Sequence, residues 1–269
     1  MSISSSSSDN EEEAAQPDAP AHALTYFSHR AALRCDLTQL LFALSDTPLK
    51  IERVLYPEFL QQKATYPGGQ LPVLRHGGRA VGQSKAIARY AATLGDLYPS
   101  DAWDAAEADA RADAIVDRLE DLGTIAWYLC KTDDARAAAL ATTLERFEVI
   151  APEIQARLRD NFMREASPWL VGGDMSLADV ACVAAMASAA DVARARLDRA
   201  STLAAEGVAP YAAVAAALRA RRERDASFVA GLLRGRKQLL DLYDRVDALP
   251  AARRVVKTWG EPGAYRTHF

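Results

Sequence analysis

Gly69-Gln70-Leu71-Pro72-Val73-Leu74, with Gln83-Ser84 opening a helix-like run about a dozen residues later, is the stretch that decides how this chain folds. Proline has no N–H to give a strand ladder, so Pro72 belongs at an edge or at the first position of an extended segment. A hydroxyl residue at the head of a helical run marks a helix start. Together they describe a small β/α module that presents bare backbone to a peptide-like ligand. Upstream, Leu24-Thr25-Tyr26-Phe27 reads as a short strand ending in a phenol.

Around this stretch, residues 23–98 alternate short extended and helical pieces. His22 to Phe27 reads as a strand, and Leu33 to Ser45 carries Leu33, Leu37, Leu40, Leu41 and Leu44 at helical spacing with Pro48 beyond. Ile51 to Leu55 reads as the next strand, Leu71 to Leu74 as the third, His76-Gly77-Gly78 as a hairpin turn and Arg79-Ala80-Val81 as the fourth, before a helix capped by Ser84 runs through Ala92. The predicted order is βαβ, a loop, then ββα.

After Pro99 the strand signals stop. Asp101 to Lys131 keeps Ile115, Leu119, Leu122 and Ala126 on one face, and Ala135 to about Glu165 repeats the habit. Ser176-Leu177-Ala178-Asp179 has a hydroxyl cap with an acid three residues on. Further helical pieces are expected over about 190–206, 210–224, 227–234, 236–247 and 251–258. The predicted organisation is an acidic, Ser-rich disordered tail over 1–22, a mixed α/β unit over 23–98, and an all-α region over 99–269 with an insertion at about 190–240.

Composition narrows the function classes. The chain has 269 residues and a net charge of -4, which exerts no global pull on nucleic acid or an anionic membrane. No apolar run reaches the ~20 residues of a membrane span, and residues 1–22 lack the basic and apolar regions of a secretory signal. Three cysteines without a Cys-x-x-Cys spacing suit a reducing, cytoplasmic setting. His22, His29, His76 and His268 show no metal-ligand spacing, so no metal is expected. The arginine-rich stretch that includes Arg219, Arg221, Arg222 and Arg224 reads as a solvated helix face rather than an RNA-binding patch.

Five blocks then occur in one order: Leu24-Thr25-Tyr26-Phe27; Gly69-Gln70-Leu71-Pro72-Val73-Leu74; Gln83-Ser84-Lys85-Ala86-Ile87-Ala88-Arg89-Tyr90; Ile115-Val116-Asp117-Arg118-Leu119-Glu120-Asp121; and Ser176-Leu177-Ala178-Asp179. In this the chain resembles the cytosolic glutathione transferases, most of all the sigma class that includes prostaglandin D synthases and S-crystallins. The resemblance implies a thioredoxin-like N-terminal domain followed by an all-α C-terminal domain, a homodimer, and glutathione as co-substrate for attack on hydrophobic electrophiles.

It also implies roles. Tyr26 stands where the family's phenol steadies the thiolate, and Arg34 where the active-site arginine stands. Phe27, Phe59, Lys63, Gln70, Leu71, Pro72, Gln83 and Ser84 fall at glutathione-binding positions, Phe59 replacing an expected tryptophan. Asp121 would reach the partner's glutathione, and Trp127 and Tyr128 would wall the electrophile pocket. A cis Leu71-Pro72 bond would turn the Leu71 main chain outward toward the cysteinyl residue. The residues taken alone admit plainer readings: Tyr26 as a strand-end aromatic, Lys63 as a surface lysine, and Asp109, Asp113, Asp117 and Asp121 as a solvated acidic ridge. Prostaglandin H2 isomerisation is one version of the chemistry. A non-catalytic binding protein of the crystallin or ligandin type is the alternative.

Overall fold

The computed structural model describes residues 22–28, 34–120, 132–187, 205 and 236–259. Its strands are β1 (His22–Phe27), β2 (Leu49–Val54), β3 (Val73–His76) and β4 (Arg79–Gly82). Its helices are α1 (Asp36–Leu44), α2 (Tyr56–Gln62), α3 (Ser84–Leu94), α4 (Ala102–Glu120), α5 (Asp133–Glu165), α6 (described over 177–187), α7 (Lys237–Asp247) and α8 (Pro250–Trp259). The expected helices over 190–206 (residue 205, which is helical, apart), 210–224 and 227–234, and the tail over 1–21, lie outside the described residues.

The sheet has the order β2-β1-β3-β4, with β1 parallel to β2 and antiparallel to β3. Parallel β1 and β2 need a crossover, and α1 supplies it. Gly77 and Gly78 both have positive φ, 54° and 74°, the signature of a type I′ hairpin turn between β3 and β4. Leu24 and Leu74, paired on one face of the sheet, share the buried core with Leu40 and Leu41 of α1 and Ile87 and Ala91 of α3, while Val73 is buried on the opposite face. Val73 is the first residue of β3, two positions later than Leu71, the predicted start.

The predicted loop between the second and third strands is instead ordered as α2, followed by two short 3-10 turns, Lys63–Thr65 and Pro67–Gly69. Pro57 in the first turn suits a helix start, and the Glu58 carboxylate accepts from the Leu55 N–H at 3.0 Å.

The helical region packs Ala108, Ala112, Ile115 and Val116 of α4 with Ile150, Ile154 and Leu158 of α5 and with α6, which is buried along its described length and apolar but for Asp179. Its start is fixed by Asp179, which accepts from the Ser176 N–H at 2.9 Å, the Ser176 hydroxyl at 3.0 Å and the Leu170 N–H at 2.8 Å. The Leu177 N–H donates to the Leu97 carbonyl at 2.7 Å, tying this helix start to the end of the sheet unit. α8 returns to pack on α1. Among the described residues no helix is long and apolar enough to cross a membrane.

Candidate functional site

Strand register assembles the site. In the ladder Thr25 pairs with Val73, and Val73 pairs with Gly82. Continuing by one residue sets Tyr26 at the end of β1, Pro72 just before β3 and Gln83 just after β4 in one rank across the sheet. Tyr26, Leu71-Pro72 and Gln83-Ser84, far apart in sequence, therefore share one end of the sheet. Tyr26 is buried at 3% exposure, with its ring 5.6 Å from that of Phe27. The Leu71-Pro72 peptide is cis, as expected.

The head of α3 differs from its predicted form. The N-cap is Gln83, at φ 72° and ψ 106°, and Ser84 is the first helical residue rather than the cap. No side chain of the helix start caps it, so the first-turn N–H groups, which have no partners within a helix, carry the positive end of the helix dipole. Positive φ at a non-glycine residue is uncommon. Ser84 and Arg34 line one small cleft with Leu37, Lys85, Asp113 and Leu177, which brings Arg34 to the head of α3. Asp36, the first residue of α1, is buried.

Along α2 the aromatic residues divide. Phe59 is 7% exposed, edge-on to Phe27 at 5.1 Å and stacked on Tyr66 at 5.8 Å. Its ring therefore packs beneath the site and is not presented to solvent. The exposed aromatic of this helix is Tyr56, at 56% exposure. Its only advance signal is that it precedes Pro57 at a helix head. Lys63 is exposed, and its side chain lies along Gly69, whose added Cβ would meet the Lys63 Cε at 3.4 Å. Gln70, beside it, is also exposed. Arg75 sits over the Tyr66 ring at 5.8 Å and donates to the Thr25 hydroxyl at 2.7 Å, bracing the floor of this segment.

The acidic ridge is not a free solvated face. Lys85 meets Asp117 at 2.7 Å, and Arg89 meets Asp109 and Asp113 at 2.8 Å each. Tyr98 also donates to Asp109, at 3.0 Å. The i,i+4 row on α4 is thus half of an ion-pair seam whose other half is α3. Among the described residues no group of three or more His, Cys, Asp or Glu is arranged to hold a metal. Asp121, Trp127, Tyr128 and His29 lie outside the described residues. Cys35 is buried, and burial pushes its thiol up to about 12, so it is no nucleophile.

A family profile described as "Glutathione S-transferase, N-terminal domain" matches residues 22–93. Over 171 residues the chain is 33% identical to glutathione S-transferase 4 of Caenorhabditis elegans, covering 60% of this chain and 76% of that one. It is 32% identical over 160 residues to the hematopoietic prostaglandin D synthase of Gallus gallus, covering 60% and 75% respectively. In fold it is similar to the prostaglandin D synthase structure from Nilaparvata lugens, with a TM-score of 0.62, 20% identity, and coverage of 90% of this chain and 100% of that one.

Proposed function

The chain belongs to the glutathione S-transferase family, and from that premise we propose that Tyr26 is the residue that stabilises the glutathione thiolate. The enzyme is a glutathione transferase with glutathione as its co-substrate. A free thiol has a reference pKa of about 8.5 and attacks as the thiolate. The phenolic O–H of Tyr26 donates to the sulfur anion, and a charge-assisted bond of this kind favours ionisation.

The remaining handles follow the same rank of the sheet. The Leu71 main chain, beside Pro72, pairs with the cysteinyl backbone as an added strand. The γ-glutamyl carboxylate settles on the first-turn N–H groups of α3 at Gln83 and Ser84. Lys63, with Gln70 beside it and Tyr56 in the role expected of Phe59, meets the glycyl carboxylate; Phe27 and Phe59 hold that wall in place. Arg34, at the head of α3, adds positive charge near the tripeptide. The chain acts in the cytoplasm as a homodimer in which Asp121 reaches the partner's glutathione. The sulfur forms its bond to an electrophilic carbon held against Trp127 and Tyr128 as the leaving group departs. Isomerisation of prostaglandin H2 on the same sulfur is the finer possibility that the avian relative's name raises, and product analysis with that endoperoxide tests it.

The observation that carries this reading is the shared register of Thr25, Val73 and Gly82, which aligns a phenol, a strand end and a helix head. Tyr26→Phe is the test. It is expected to lower kcat/KM for 1-chloro-2,4-dinitrobenzene by about 10–100-fold, the worth of one charged hydrogen bond, with glutathione affinity nearly unchanged. A variant that conjugates at the wild-type rate removes Tyr26 from this role. Retention on glutathione-agarose without turnover by the wild type would favour the binding-only alternative.

A further inference from the structure

The outer side of α2 carries an ordered file of side chains. The helix spans Tyr56–Gln62, and Lys63 after it keeps helical angles, φ -50° and ψ -40°. At 3.6 residues per turn, Tyr56, Leu60 and Lys63 fall at positions i, i+4 and i+7, in line along one side. Tyr56 is 56% exposed and Leu60 52%, and Lys63 is exposed as well. The file is about 10 Å long. It starts beside Phe27, whose ring centroid is 6.2 Å from that of Tyr56. It ends where Lys63 lies along Gly69, on the approach to Leu71-Pro72.

This file is apolar with one cation at its end. Phe59, one step around the helix, has no N–H to offer and is buried against Phe27 and Tyr66. Glu58, the carboxylate of the helix, turns back to the Leu55 N–H at 3.0 Å, and its position in the helical turn is opposite that of Leu60. The carboxylate at the end of a peptide laid along α2 therefore finds Lys63, and next to it a leucine and the ring of a tyrosine. Glycine has no side chain to set on that surface. A branched apolar side chain at the same place would take Leu60 and the Tyr56 ring out of water, and binding strengthens with the apolar area so removed. Single exposed leucines are ordinary. Leu60 is set apart by standing between an aromatic and a lysine at the glycyl end of the tripeptide site.

We propose, resting on the tripeptide site described under the proposed function, that this site prefers a γ-glutamylcysteinyl tripeptide whose third residue has a branched apolar side chain. The terminal carboxylate of that thiol is held by Lys63, and its third side chain lies on Leu60 and the Tyr56 ring. The test is calorimetric titration of the full chain, under reducing conditions, with γ-Glu-Cys-Leu and with glutathione. The wild type is expected to bind the leucyl peptide at least about threefold more tightly, a contrast set by the apolar area covered. Leu60→Ser, a substitution at an exposed position, is expected to bring the ratio of the two affinities to about one or below. A wild-type preference of less than threefold, or one that persists in Leu60→Ser, overturns the proposal while leaving the site itself in place. Binding of neither peptide removes the tripeptide site, and this preference with it.

Discussion

Asp179 shows how a single side chain sets both local structure and pH response. It is fully buried, and burial pushes its carboxyl up to about 6 against the opposing pull of the Leu170 and Ser176 donors. The folded chain therefore keeps this proton between about pH 4 and pH 6, where the unfolded chain has released it. The resulting stabilisation is complete below the unfolded pKa and is lost as pH rises through 6. Comparing wild type with Asp179→Asn by urea unfolding from pH 4 to pH 7, the difference is expected to move in favour of the asparagine by up to about 3 kcal/mol. Cys35 and Cys182 make a simpler case: both are free and buried, and burial raises both thiols. Iodoacetamide at neutral pH is expected to leave both unmodified in peptide maps of the native protein and to label both once it is unfolded.

Among the elements, α3 serves two masters, with its head in the proposed tripeptide site and its flank in the ion-pair seam with α4. Arg89→Ala removes two part-buried charged contacts and leaves Asp109 and Asp113 facing the gap. It is expected to cost about 2 kcal/mol in urea unfolding. At its other end, Gly95 passes so close to α1 that an added Cβ would sit 2.7 Å from the Ser45 Cβ. Gly95→Ala is expected to cost about 1–3 kcal/mol in the same assay through overpacking. Neither contact was legible in the chain. Spacing of four residues reveals that Asp109, Asp113 and Asp117 share a face, but not that Lys85 and Arg89 lie against it. Likewise α2 hid among Pro57, Pro67, Gly68 and Gly69, whose turn-forming character outweighs a seven-residue helix held by one proline and one glutamate. By contrast β1, α1, α5 and the α6 start were readable, because each combines a clear period with a cap or a breaker.

For the molecule as a whole, the order of five short blocks was enough to read the sheet unit followed by helices. That Tyr26, Pro72 and Ser84 stand at boundaries between elements was legible as well, since each is an uncommon residue type at such a place; that the register ranks them together was not. Phe59 and Tyr56 were not separable, since a seven-residue helix shows no period that tells a buried ring from an exposed one. The stacked His22 and His76 were invisible because strand pairing, not spacing, unites them. At this scale the dimer is the quantity to measure: light scattering behind gel filtration is expected to give twice the chain mass of 29.1 kDa. The rank through Thr25, Val73 and Gly82 has one more consequence. Hydrogen-bonded strands can move past one another only in whole rungs, so the distances among the three proposed grips on the tripeptide are gauged by the ladder and cannot be adjusted continuously. One residue inserted between Val73 and His76 resets that gauge and turns β3 inside out.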